Sequence, residues 1–202
     1  MSNGKGSASP SEMDPKDLPN VPAFQDEFTR DFLQSTEPVR EGYYPLEGLT
    51  GKFTMDFPED MYIGDKSYDR GKNNSSERLI ISHKDETLDL YTEIRLTYYD
   101  FMDSEESIKS GVSSKAGEEL EFRPLKSNFD NQSIEVAESK DEIYPGVMAV
   151  IWNENRENIQ LFSMITCSDN LSEDECSKLV EDEKERVMNI FQSIKLTQSE
   201  GE

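Results

Sequence analysis

A chain of 202 residues with 43 acidic against 21 basic side chains, one histidine and two cysteines carries a formal net charge of −22. It is long enough for one domain with a real core, and its charge excludes nucleic acid and an anionic membrane surface as direct electrostatic partners, since phosphate contacts need clustered Lys and Arg. No stretch approaches the roughly 20 apolar residues of a membrane span, and no apolar signal-peptide core follows Met1.

Residues 2–20 have the Ser/Gly/Pro/Asp/Lys composition of a flexible tether that buries too little apolar surface to order itself. We therefore expect a tether over 1–20, a single globular domain over 21–197 and a disordered tail over 198–202. Such leaders commonly join the lipidated cysteine of a bacterial lipoprotein to its folded domain. On that reading Met1 stands where the cysteine would be; the alternative is an ordinary disordered N-terminus. Next, PAFQDEFTRDFLQS places Phe24, Phe28, Phe32 and Leu33 on one face of a short helix opened by Pro22. The segment TEPVREGYYPLEGLTG, punctuated by Pro and Gly, reads as a connecting loop carrying the exposed aromatics Tyr43 and Tyr44.

The first strand is expected in GKFTMDFPEDMYI, where Phe53, Met55 and Phe57 alternate with Lys52, Thr54 and Asp56 until Pro58. Residues 65–77 form a polar loop suited to a hairpin tip. RLIISH and TLDLYTEIRLTYYD read as two strands joined by the turn KDE. The second points Leu90, Ile94, Leu96 and Tyr98 one way and Tyr91, Glu93, Arg95, Thr97 and Tyr99 the other. SEESIKSGVSSKAG, capped by Ser104, reads as a helix weakened by Gly111 and its serines. ELEFRPLK and QSIEVAES are short strands around the turn SNFDN.

The last three elements carry the strongest pattern. Val147, Ala149 and Ile151 line one face of VMAVIW, with Met148, Val150 and Trp152 on the other; NIQLFSMIT places Leu161 and Ile165 against Phe162 and Met164 in the same way. Two adjacent strands apolar on both faces are expected to be covered twice, which calls for a layer of helix on each side of an antiparallel sheet. Ser172 with Glu175 three residues on makes a capping box. The apolar positions Cys176, Leu179, Val180, Val187, Ile190, Phe191 and Ile194 then recur at helical spacing.

Cys167 ends a strand and Cys176 opens this helix, so folding back over a short loop can bring them to bridging distance. We expect a disulfide, and with it an oxidising, extracytoplasmic address, against the alternative of two buried free thiols. Other chemistry finds little support. His83, the only histidine, ends a strand with no G-x-S-x-G elbow in the chain, and reads as a surface residue. Three His and Cys residues at no ligand spacing do not make a zinc site. Asp169, Asn170, Glu173, Asp174 and Glu175 offer oxygen ligands but lack the glycine and spacing of an EF-hand, and acids there complement the helix dipole. No phosphate-binding glycine loop occurs. Glu181, Asp182, Glu183 and Glu185 read as the solvated face of the last helix. We expect no catalytic residue, metal or cofactor; a hydrolase is the remaining enzymatic reading. The candidate binding residues are Tyr43, Tyr44, Tyr98, Tyr99 and Trp152, because aromatics with a polar handle suit interfaces, with core packing as the alternative.

The order GKFTMDFPEDM, then VMAVIW into LFSMIT, then a terminal helix ending FQSIKL resembles the PsbP-like fold shared by photosystem-associated lumenal proteins and many bacterial lipoproteins. The resemblance covers about residues 45–196 and carries no functional residue with it. It implies an α+β fold, an antiparallel sheet of about six strands sandwiched between helices (PsbP-like α/β/α). Members mostly act as non-enzymatic accessory or binding proteins, among them a Ran-binding nuclear-import factor. The expectation is thus a monomeric, non-enzymatic accessory domain of a lipoprotein on a Gram-positive cell surface, binding an unknown protein or small ligand and meeting the membrane only through an N-terminal lipid. The alternative is a soluble, cytoplasmic acidic inhibitor or immunity-type protein that binds a basic partner.

Overall fold

The computed structural model describes residues 9–83, 89–141 and 145–197. The expected KDE turn, the tail 198–202 and the first eight residues of the tether lie outside them. The chain joins the domain before the boundary that composition suggested. Two single 3-10 turns, Pro10–Glu12 and Pro15–Asp17, lead to Leu18, which is buried in the core with Met13 packed against it. Two well-placed apolar side chains dock a segment whose average composition is tether-like.

The expected first helix is two single turns, α1 (Pro22–Gln25) and α2 (Glu27–Arg30), broken at Asp26. Its carboxylate accepts the Thr29 N–H at 2.9 Å and so caps α2. Phe24, Phe32 and Leu33 are buried as the pattern required. The Tyr43/Tyr44 segment is a strand, not a loop: β1 (Tyr43–Glu47) pairs with β2 (Phe53–Pro58), which pairs with β11 (Lys195–Leu196), giving a separate three-stranded antiparallel sheet. Pro45 is accommodated because β1 lies at the edge of that sheet.

The main sheet has eight strands where about six were expected. They are β3 (Met61–Ile63), β4 (Asp69–Arg70), β5 (Ser76–His83), β6 (Leu90–Tyr99), β7 (Arg123–Leu125), β8 (Gln132–Glu138), β9 (Val147–Asn153) and β10 (Asn158–Cys167). The order is β3-β5-β6-β10-β9-β8-β7, with β4 also on β5, and every pairing is antiparallel. The extra strands are two or three residues long, too short to show a period.

One face of this sheet is fully covered. Helix α4 (Glu173–Ser193), begun by the Ser172/Glu175 capping box, lies against β10, β9, β6 and β2. Val187, Ile190 and Phe191 join Leu96, Leu161 and Ala149 and the Phe53, Met55 and Phe57 side of β2 in one buried cluster. Each large side chain there contributes about 1.5–3 kcal/mol by leaving water. The acid stripe of α4 is solvated with one exception: Glu183 is buried and accepts the Thr92 hydroxyl at 2.7 Å.

The other face is covered only in part. Helix α3 (Glu105–Ala116) starts at Ser104, whose hydroxyl accepts the Ser107 N–H at 3.1 Å, and stops at Gly117 in the left-handed conformation, φ +75°. Ile108 and Val112 pack on Met148, Val150 and Trp152 in a second, smaller cluster. A single helix about 10 Å wide cannot roof seven strands in a row at about 4.8 Å spacing. Phe162 and Met164 of β10, expected to be covered, are therefore half-buried. The fold is α+β, with its helices on both sides of an antiparallel sheet.

Cys167 and Cys176 form a disulfide, with Cα atoms 5.9 Å apart, that ties the end of β10 to the first turn of α4. Replacing both by serine is expected to lower stability by about 2–3 kcal/mol, the loop entropy of so short a span. A urea-unfolding comparison checks it; an unchanged midpoint would mean that the capping box and packing alone seat α4.

Candidate functional site

The open part of the second face forms a groove of about 750 Å³. Its floor is the outward row of β5, β6 and β10, and its wall is the last turn of α3 with the segment that follows. Register fixes the floor: Arg78 lies opposite Thr97, Arg95 opposite Phe162, and Phe162 opposite Met148 on β9. Because the side-chain period of a strand is two, all of these project from one side. Tyr99 closes one end of the floor and Met164 continues the apolar part.

Arg95 is steered by Glu93, Nε to Oε1 2.7 Å. From the wall, Lys115 donates to Gln160 Oε1 at 2.9 Å, with its ammonium 5.8 Å from the Tyr99 ring. Glu118 accepts the Ser139 hydroxyl at 2.6 Å and the Lys140 N–H at 3.1 Å. Ser163 is already engaged, since its Oγ accepts the Val147 N–H at 2.7 Å and donates to the Val147 carbonyl at 2.9 Å. The groove thus offers stacking and sulfur contacts, guanidinium donors and the Thr97 hydroxyl: the means to hold a ligand.

The five aromatic candidates do not converge. Tyr43, on the small sheet, lies under the Arg40 guanidinium at 3.4 Å. Tyr44 is buried edge-on against Phe24 at 4.7 Å. Tyr98 is a core residue whose hydroxyl donates to Glu157 at 3.1 Å; burial first, and that carboxylate second, push its phenol far above the ordinary range. Trp152 is 8% exposed and donates Nε1–H to Glu105 of α3 at 3.1 Å, beside a second hollow of about 400 Å³. Of the five, Tyr99 lines the groove. Sequence reasoning missed Arg78, Arg95, Phe162 and Met164 as site residues. The available signal was a polar row, Arg95, Thr97 and Tyr99, on a strand paired along both edges.

His83 is not a surface residue: it is 5% exposed and enclosed in a network away from the groove. Its Nδ1 accepts the Thr92 N–H at 3.1 Å, which assigns the proton to Nε2, 3.2 Å from Asp60 Oδ2. Arg186 of α4 reaches the other Asp60 oxygen at 2.6 Å and Glu183 at 3.2 Å. This cluster clamps α4 to the β3 end of the sheet. Burial alone would raise the Asp60 carboxyl, but the hydrogen bond from His83 and the Arg186 charge prevail and hold it below the ordinary aspartate range. A carboxyl lowered on folding adds stability that is present above its unfolded value, about 3.9, and lost as pH falls through the lower folded value. Asp60→Asn is thus expected to cost stability at neutral pH and progressively less below about pH 4. Urea midpoints of both proteins at neutral and acid pH check it; a pH-independent difference would refute it.

Comparison with known proteins agrees with a lipoprotein. The family described as "Putative lipoprotein YvcA" matches residues 19–195, a span that takes in the main sheet, the small sheet but for Leu196, both long helices and the whole groove. A Bacillus subtilis (strain 168) protein of the same description is 38% identical over 136 residues, which are 65% of this chain and 55% of that protein. The chain spans just over half the length of that relative. With the family's match running through nearly the whole described domain, this chain belongs to the "Putative lipoprotein YvcA" family.

Proposed function

We propose that this chain is the extracytoplasmic, non-enzymatic binding domain of a membrane-anchored lipoprotein of a Gram-positive cell, on a PsbP-like α/β/α frame, and that it takes a small ligand or protein segment into the groove beside α3. The observation that carries this reading is the half-roofed sheet: one face sealed by α4 and the small sheet, the other left open over β5, β6 and β10. Support comes from the lipoprotein family and from the Cys167–Cys176 bridge, which suits an oxidising compartment. The groove lining joins guanidinium groups to aromatic and thioether side chains, contacts that suit holding a ligand.

Two measurements in the native organism test it. Intact mass of the membrane-fraction protein should show a diacylglycerol-modified cysteine ahead of this domain; a soluble, unlipidated protein with free thiols would overturn the address. A photo-crosslinker at Thr97 in the groove should capture the ligand, whereas one at exposed Lys178 on α4 should not. Capture at Lys178 alone would move binding to the acidic face of α4 and favour an inhibitor-type role with a basic partner.

A further inference from the structure

We propose, resting on the groove reading above, that the ligand is a small amphiphile with a single anionic head, held with its head at Arg78 and Arg95 and its apolar body along Phe162, Met164 and Met148. The floor is graded across the sheet. On its β5–β6 side stand two arginines on diagonal positions of one face, Arg78 opposite Thr97 and Arg95 opposite Ile80. On its β10–β9 side stand Phe162 and Met148, directly paired, with Met164 one step along the same row of β10. Arg95, Phe162 and Met148 are successive on adjacent strands, so the path from charge to apolar end is roughly 10 Å, the length of a medium acyl chain.

Charge complementarity selects the head. In a chain with 43 acids, Arg78 makes no ion pair or side-chain hydrogen bond among the described residues. Glu93 holds Arg95 through Nε, which leaves the terminal guanidinium nitrogens to meet an incoming carboxylate or phosphate. Asp69, directly opposite Arg78 on β4, and the rim carboxylates Glu118 and Asp141 bound the number of charges. Together with the net charge of −22 they repel a polyanion or an anionic bilayer, and leave room for one negative group between the arginines. Methionine and phenylalanine supply an adaptable apolar bed rather than a shaped slot, which suits a flexible chain.

The test is an amide-resolved NMR titration of the folded domain with three octyl probes of different head: octanoate, octyl glucoside and octyltrimethylammonium, each below its micelle concentration. Octanoate is expected to shift groove amides of β6 and β10 and to bind at least tenfold more tightly than the other two. Arg78→Gln combined with Arg95→Gln should weaken octanoate at least tenfold while leaving the thermal midpoint unchanged, since both side chains are exposed. Octyl glucoside binding in the groove as tightly as octanoate would overturn the anionic head and leave the groove as a binding site. If octanoate shifts only amides outside the groove, this inference fails. Should no probe reach the groove and no crosslink form at Thr97, both this inference and the reading beneath it fall.

Discussion

Replacing Glu77 by alanine is expected to destabilise the domain by about 3–5 kcal/mol, the largest effect we anticipate from a single polar side chain. Glu77 is fully buried in β5, yet none of its neighbours supplies an opposite charge within ion-pairing distance among the described residues. Its carboxylate instead accepts the Leu49 N–H at 2.8 Å, the Thr50 N–H at 3.1 Å, the Thr50 hydroxyl, and the Tyr68 hydroxyl at 3.1 Å. These bonds tie three elements: the turn between β1 and β2, the hairpin of β4 and β5, and, through Tyr68, the aromatic contacts with Phe28 and Phe32 at 5.4 and 5.6 Å. Burial and Glu77 together push the Tyr68 phenol well above its ordinary range, so it stays a donor. Alanine would leave two backbone N–H groups and two hydroxyls without their acceptor, the two of Thr50 in a buried setting. Glutamine keeps one acceptor but turns an amide N–H₂ toward the same donors, so about 2 kcal/mol is expected for it. Tyr68→Phe should cost only about 1 kcal/mol, because it removes donor and bond together. Urea unfolding of the three variants checks the order. A Glu77→Ala cost near that of Tyr68→Phe would mean that water enters and satisfies the turn.

Glu77 also shows where sequence reasoning stops. Glu77 falls at the end of the expected polar loop 65–77, and nothing local reveals that it lies in β5 or that a turn 27 residues earlier closes over it. His83 misleads for the same reason, since its partners Asp60 and Arg186 come from other elements. By contrast, features set by local periodicity were legible: α4 with its Ser172/Glu175 cap, the β9–β10 hairpin, the alternation of β2, and the short span that allowed the Cys167–Cys176 bridge. The small sheet was legible only in its middle strand, because β11 has two residues and β1 contains Pro45. The groove was hidden by a different ambiguity. Phe162 and Met164 are apolar whether a helix covers them or leaves them as a binding floor, and only the size of α3 relative to the sheet decides between the two.

Gly146→Ala is the second large effect expected, about 3 kcal/mol or more, and it would act on the fold and the groove together. A Cβ at Gly146 would sit 2.0 Å from the backbone carbonyl oxygen of Ser163 and 2.9 Å from its carbon, distances that no rotamer can relieve. Neither backbone is free to yield. The Gly146 carbonyl accepts the Ser139 N–H at 3.0 Å, Pro145 accepts the Ile165 N–H at 2.9 Å, and Ser163 is bonded through its side chain to Val147. The close approach occurs where the β9–β10 ladder ends at Met148 and Phe162, so pushing the strands apart there displaces the apolar end of the groove floor as well. Gly111, within α3, supplies the contrast: a Cβ there meets nothing within 4 Å. Gly111→Ala is expected to stabilise the domain by about 0.5–1 kcal/mol, because alanine loses less backbone entropy in a helix. Urea midpoints give the stabilities, and octanoate titration of whatever folded Gly146→Ala can be made gives the groove. Stability lost with ligand affinity in one variant, and neither lost in the other, is the expected pair of results. A Gly146→Ala protein within about 1 kcal/mol of the parent would show that β9 and β10 can separate at this point without breaking the sheet.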